Sequence, residues 1–191
     1  MHKINEILKN DGVISFVTDT VWGIGCLPTS EKAVDKIYEI KGRDRSKPLI
    51  LMSNSLEHLL PYVENMSTSQ KLFADKYFPG AVTLVMSKSE KTPDYITSGM
   101  QTVGIRVPNN SVFANICENI EGHVLATTSA NLSNFPAAKN YNEAVEFIGD
   151  YVDYVVQNEE DRAKGLESTV VLLVNEEVKI LRQGAVIIGE L

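Results

Sequence analysis

Three short polar clusters carry the residue types from which a small-molecule site could be built. The first, Thr18-Asp19-Thr20-Val21-Trp22-Gly23-Ile24-Gly25, follows the strand-like run Val13–Val17 and combines two hydroxyls, a carboxylate and two glycines. Glycines let backbone approach a ligand closely, but alone the cluster reads first as a turn whose Asp19 and Thr20 hydrogen-bond locally. The second, Lys41-Gly42-Arg43-Asp44-Arg45-Ser46-Lys47-Pro48, places four cations within seven residues of a chain with net charge −7. Such cations clamp phosphoryl oxygens and stabilise charge on a transferring phosphorus. A solvated helix end, with cations at the negative end of the macrodipole, accounts for them equally well. The third, Thr127-Thr128-Ser129-Ala130-Asn131-Leu132-Ser133, follows Val124-Leu125-Ala126. It suits ribose, phosphate or amino-acid recognition, and equally an ordinary N-cap. Ser168-Thr169 and Arg182 add hydroxyls and a cation near the end of the chain. All three clusters fall where strands end, which is where open α/β sheets bind ligands. Together they sketch a pocket for a nucleotide and a second small molecule.

Other chemistries are excluded by what is missing. Gly23-x-Gly25 is followed by Pro28 where a dinucleotide fingerprint needs its third glycine. Gly99 and Gly104 have Walker A spacing, but Ile105-Arg106 stand in place of Lys-Ser/Thr. No H-x-x-x-H or G-x-S-x-G occurs, and His2, His58 and His123 are scattered, with His58 expected at the surface of a helix. Cys26 and Cys117 are too far apart for a C-x-x-C site, so no metal centre is expected.

The elements that must position these clusters alternate in type. Ile4, Ile7 and Leu8 mark a helix ending before Gly12, and Ala33, Val34, Ile37 and Ile40 a second one. Ser67-x-x-Gln70 is a capping box opening a helix with Leu72, Phe73 and Tyr77 inward. Further helices carry Val112–Ile120 and Ala144–Ile148. Strands are expected at 49–52, 82–86, 103–107, 124–127 and 152–156, and a closing hairpin spans Ser168–Val174 and Val178–Arg182 about a turn at 175–177. This mixture predicts an α/β fold, a three-layer single domain over residues 1–191 with a twisted mixed sheet flanked by helices. The polar stretch 158–165 reads as a surface loop. The longest aliphatic run, Val170–Val174, is far short of a membrane span, the N-terminus lacks an apolar signal region, and a cytoplasmic protein is expected.

In their order along the chain these motifs resemble the YrdC/TsaC family of threonylcarbamoyl-AMP synthases. The family's Lys-x-Arg … Ser-x-Asn signature appears as Lys41-Gly-Arg43 and Ser129-Ala-Asn131. Thr18–Val21, Pro79–Leu84, Val103-Gly-Ile-Arg106-Val-Pro108, Glu167-Ser-Thr-Val170 and Leu181-Arg182-x-Gly184 complete the set, in the short single-domain form. The resemblance implies a YrdC-like fold and synthesis of threonylcarbamoyl-AMP and pyrophosphate from L-threonine, bicarbonate and ATP. The product would feed a downstream threonylcarbamoyl transferase acting on tRNA, with Mg²⁺ accompanying ATP.

Carried over by position, Arg43, Lys47, Thr102, Ser129, Asn131, Ala137 and Arg182 are expected at the nucleotide. Thr20, Arg106, Thr127 and Ser168 are expected at threonine, and Lys41 and Arg43 are the candidates for stabilising phosphoryl charge. Val17 and Trp22 replace the family's usual Pro and Tyr and are expected to keep an apolar wall. Met52 stands where several members have His, and the 158–164 loop is more charged than theirs. Two other readings are weighed: a carbamoyl-AMP-forming maturation module, which normally sits inside a much larger chain, and an RNA- or ribosome-binding factor using the 41–47 cations. The acidic balance disfavours the latter.

Overall fold

A computed structural model describes residues 1–42, 44–133, 135–158, 163–174 and 177–189. Seven α-helices are present among them: α1 (His2–Lys9), α2 (Glu31–Lys41), α3 (Leu56–Leu59), α4 (Thr68–Tyr77), α5 (Asp94–Thr97), α6 (Ser111–Glu118) and α7 (Tyr141–Ile148). The strands are β1 (Ile14–Phe16), β2 (Gly23–Cys26), β3 (Ile50–Ser53), β4 (Val82–Ser87), β5 (Thr102–Arg106), β6 (Val124–Ser129), β7 (Tyr154–Val155), β8 (Thr169–Val174) and β9 (Glu177–Arg182). They form one sheet in the order β7-β1-β2-β6-β3-β5-β4-β8-β9. β7–β1, β3–β5 and β4–β8 pair in parallel and the other neighbours antiparallel, so the sheet is mixed as the sequence predicts.

Both faces of the sheet are covered, because successive strand residues point to opposite sides. Ile24, Cys26, Leu51, Val82, Leu84, Val103, Ile105, Val124 and Ala126 pack with α2, α4 and α7 in one core. Ile14, Phe16, Met52 and Leu125 pack with Ile4 and Leu8 of α1 and Phe113, Ile116 and Cys117 of α6 in the other. Each core holds one cysteine, and burial pushes both thiols up to about 12. Val17 and Trp22 are fully buried in the first core, so the expected apolar wall is interior packing.

Local chemistry accounts for most boundaries. The Ser67–Gln70 capping box is formed in both directions, and Ser30, Ser55, Asn110 and Asn140 cap α2, α3, α6 and α7. Leu72, however, is exposed, since only the stripe through Phe73, Ala74 and Tyr77 meets the sheet. Gly23 and Gly25 lie in a fully buried strand where the sequence suggested a turn. The Phe16 ring lies across both, at 3.1 Å from the place of a Cβ at either, so a side chain there would need the ring to give way by a few tenths of an ångström. An aromatic ring supplies the packing that two side chains would otherwise give. The terminal hairpin is present as β8 and β9, with a bulge at Val170/Val171; residues 175 and 176 of its turn lie outside the described residues.

Two consequences can be measured. A Cβ at Gly104 of β5 would fall 2.9 Å from Cγ2 of Ile50 and 3.0 Å from Cγ2 of Thr83, both stiff β-branched groups. Gly104→Ala should therefore lower unfolding free energy by about 1–3 kcal/mol in urea titration. Asp153 accepts the Val13 N–H (2.7 Å) and binds Lys36 through both oxygens (2.7 and 2.6 Å). Burial alone would raise its pKa, but Lys36 and the Val13 N–H outweigh burial and hold it below the ordinary carboxylate value. Its stabilisation is present above that ordinary value and is lost as pH falls through the lowered one. Asp153→Asn should flatten the dependence of stability on pH below about pH 4.

Candidate active site

The sheet face covered by α1 and α6 continues beyond them into a cavity of about 260 Å³. Its floor is built from strand residues on that face: Ile50 and Met52 of β3, Thr127 and Ser129 of β6, Thr83 of β4, Arg106 of β5, Gly23 of β2 and Val170 of β8. The site thus lies on the sheet, not beyond the strand ends as the sequence suggested. The reason is that antiparallel neighbours bring residues from the start of one strand beside the end of the next. Thr18, Thr20, Pro48, Glu167, Ser168 and Arg182 form the rim.

Arg106 organises the wall. Its side chain is 2% exposed, and it donates from Nε to the Gly80 carbonyl (3.0 Å), from Nη1 to Thr20 Oγ1 (2.9 Å) and from Nη2 to Asp19. Burial pushes the guanidinium below its usual pKa, Asp19 opposes that shift, and nearby Arg182 adds to it. Of five N–H donors, three are engaged among the described residues, which leaves one on each Nη. The hydroxyls beside it form a directed chain. Thr18 Oγ1 donates to the Val21 carbonyl (2.6 Å), so Thr20 must be the donor in the 3.0 Å contact between the two hydroxyls. Thr20 then accepts from Arg106 and can offer a ligand only a lone pair.

The signature residues form a second unit. Lys41, 3% exposed, donates to the Ser129 carbonyl (2.7 Å), to Ser129 Oγ (3.3 Å) and to Asn131 Oδ1. Ser129 Oγ donates to Asn131 Oδ1 (2.6 Å), and Asn131 Nδ2 to the Phe135 carbonyl (2.6 Å). The loop after β6 is also bound to Trp22 through Ala130 and Ala138. Lys41 thereby positions Ser129 at the cavity and does not line it.

A third unit joins the last two motifs. Arg182 ion-pairs with Glu167 through Nη1 and donates from Nη2 to the Ser168 carbonyl (2.9 Å) and Oγ (3.4 Å). Ser168 Oγ is 2.8 Å from Thr83 Oγ1. Gly184 is required here, since a Cβ would fall 2.3 Å from the Glu167 carbonyl oxygen.

Of the expected site residues, Thr20, Arg106, Thr127, Ser129, Ser168 and Arg182 line the cavity, and Asn131 is bonded to Ser129. Lys47 is exposed beside the lining residue Pro48, and Ala137 lies next to Ala138 without facing the cavity. Thr102 begins β5, four residues before Arg106 and so about 13 Å along the strand from it. Arg43 lies outside the described residues, as do 159–162 of the polar loop. Arg45, from the same cation cluster, pairs with Asp35 of α2 at 2.7 Å. Asp19 stands in the first polar cluster and Thr83 and Glu167 in the quoted motifs, but none has an individual role legible in the sequence, because each makes its contact with a residue more than ten positions away. The histidines are less scattered than expected: His58, half-buried, stacks on His123 at 4.5 Å.

Asp19 should be a structural necessity wherever Arg106 is buried. Asp19→Ala leaves a desolvated guanidinium without its carboxylate and should cost roughly 3 kcal/mol of stability in urea unfolding.

Residues 6–184 match the Sua5/YciO/YrdC family model, described as "Telomere recombination". The chain is 32% identical over 184 residues to the threonylcarbamoyl-AMP synthase of Pyrococcus abyssi, covering 96% of this chain and 54% of that one. It is 34% identical over 153 residues to the threonylcarbamoyl-AMP synthase of Enterobacter sp., covering 79% and 80%. The structure of P. abyssi Sua5 complexed with L-threonine superposes with a TM-score of 0.88 at 30% identity, over 96% of this chain and 54% of that one. The chain therefore spans about half the length of the archaeal relative and about four-fifths of the bacterial one. The match along nearly all of the sequence, together with the interlocked Lys41–Ser129–Asn131 and Glu167–Arg182 units, places this chain in the Sua5/YciO/YrdC family.

Proposed function

We propose that the chain forms threonylcarbamoyl-AMP and pyrophosphate from L-threonine, bicarbonate and ATP, supplying the tRNA threonylcarbamoyladenosine modification in the cytoplasm. The observation that carries this reading is the buried Arg106, which keeps one N–H on each Nη at the wall of a small polar cavity. A guanidinium so placed matches a carboxylate, and the related Sua5 structure is a complex with L-threonine. Relatives named threonylcarbamoyl-AMP synthase support the reaction. Among the described residues no helix is long and apolar enough to cross a membrane.

In this reading Arg106 holds the threonine carboxylate. Thr20 accepts a hydrogen bond from a substrate donor, Thr127 and Ser168 contact the remaining polar groups, and Met52 faces the methyl. The threonine nitrogen attacks the bicarbonate carbon with loss of water and a proton, giving N-carboxy-threonine. A carboxylate oxygen of that species then attacks the α-phosphorus of ATP, the bond to the bridging β-phosphate oxygen breaks, and pyrophosphate leaves. Such a displacement depends on alignment and charge neutralisation more than on a strong base. Arg182 and Arg43 are assigned the phosphoryl charge, with Lys47, Thr102, Ser129, Asn131 and Ala137 toward the nucleotide. Lys41 acts through the loop it holds. Asp19 and Glu167, the carboxylates nearest the cavity, are each paired with an arginine and do not compose a metal site. Mg²⁺ is accordingly assigned to the phosphates, as part of the nucleotide substrate.

Pyrophosphate release should require ATP, bicarbonate and L-threonine together; release indifferent to threonine would refute the assignment. Arg106→Lys cannot reproduce the forked contacts and should raise the KM for threonine at least about tenfold, with the unfolding midpoint as a control for folding.

A further inference from the structure

The two arginines of the cavity are held by carboxylates in different ways. Asp19, against Arg106, is 11% exposed and the guanidinium 2%, so that pair is locked in the interior. Glu167 and Arg182 are 41% and 46% exposed, and both line the cavity itself. Glu167 therefore brings a negative charge into a site otherwise equipped to receive anions. An exposed pair of this kind is held only weakly, and either partner can turn into solvent at small cost. The backbone beneath it is fixed: the Glu167 carbonyl accepts the Ala185 N–H at 2.9 Å, and Gly184 packs directly on it. Any rearrangement is thus confined to the side chain. Arg182 is fixed on its other side by Ser168, which holds Nη2 while Nη1 is given to Glu167.

We infer that Glu167 is an internal stand-in for the substrate's anionic group: it occupies Nη1 of Arg182 and is exchanged for a phosphoryl oxygen when nucleotide binds. This rests on the reaction proposed above and adds a positioning residue to it. Glu167 keeps the guanidinium aimed into the cavity between turnovers. By competing for the same N–H it also weakens nucleotide and product binding, and so favours their release. An alternative role, in which Glu167 merely props Arg182 in place throughout, predicts the opposite sign for its removal.

The test is calorimetric titration of the full chain with ATP, comparing wild type, Glu167→Gln, Arg182→Ala and the double variant. Glu167→Gln is close in shape and sits at the surface, and a thermal melt verifies its fold. Exchange predicts that Glu167→Gln tightens ATP binding about two- to five-fold, the range spanned by exposed ion pairs, and that this gain vanishes in the Arg182→Ala background. In turnover the same variant should show a lower KM for ATP together with a lower kcat where product release limits the rate. Unchanged or weaker ATP binding in Glu167→Gln would overturn the exchange while leaving the synthase reading intact. A gain that persists without Arg182 would overturn it as well, because simple like-charge repulsion would then suffice. Failure of the wild-type chain to bind ATP would remove both the exchange and the reaction on which it rests.

Discussion

A charged side chain buried at the centre of the molecule constrains everything around it. Arg106 ends an interior strand, and its guanidinium can be kept out of water only if its donors find acceptors and its charge finds a counter-charge. The β1–β2 loop provides Asp19 and Thr20, and the segment before β4 provides the Gly80 carbonyl. Three stretches far apart in sequence are thus fixed to one another by one side chain. The tight turn at Thr18–Val21, with its internal hydroxyl bonds, brings Asp19 and Thr20 to the guanidinium. The cavity wall and the structural pair are consequently the same object, and the wall cannot relax independently of the fold.

Small residues make this concavity possible. Gly23, Gly25 and Gly104 lie on the cavity side of the sheet, where larger residues would collide with Phe16, Thr127, Ile50 and Thr83. The volume left open on the face beyond α1 and α6 becomes the site. It measures about 260 Å³.

Much of this was readable from the chain where the cause is local. The capping box at Ser67–Gln70, the helical stripe of α2 and the terminal hairpin follow from spacing and periodicity alone. The glycine-bearing strand β2 did not, because its partner in packing is a ring seven residues upstream of Gly23, and glycines ordinarily signal turns. The three polar clusters pointed to a shared pocket, but only the strand order brings Arg182 near Arg106 across 76 positions of sequence (182 − 106). Lys41 shows the remaining difficulty. Its motif identified it as important, whereas its burial and its bonds to Ser129 and Asn131, invisible in the sequence, indicate that it works on the loop after β6.

The two cysteines offer a different kind of information. Cys26 and Cys117 sit on opposite sides of the sheet, each within its own core and each with a thiol pushed up to about 12 by burial. A thiol in that condition is almost entirely protonated at neutral pH and is inaccessible to an alkylating reagent. Each becomes reactive only when its own layer of helices lifts away. The chain thus carries one natural clock for each half of its interior, and comparing the two labelling rates shows whether the layers part together or in turn.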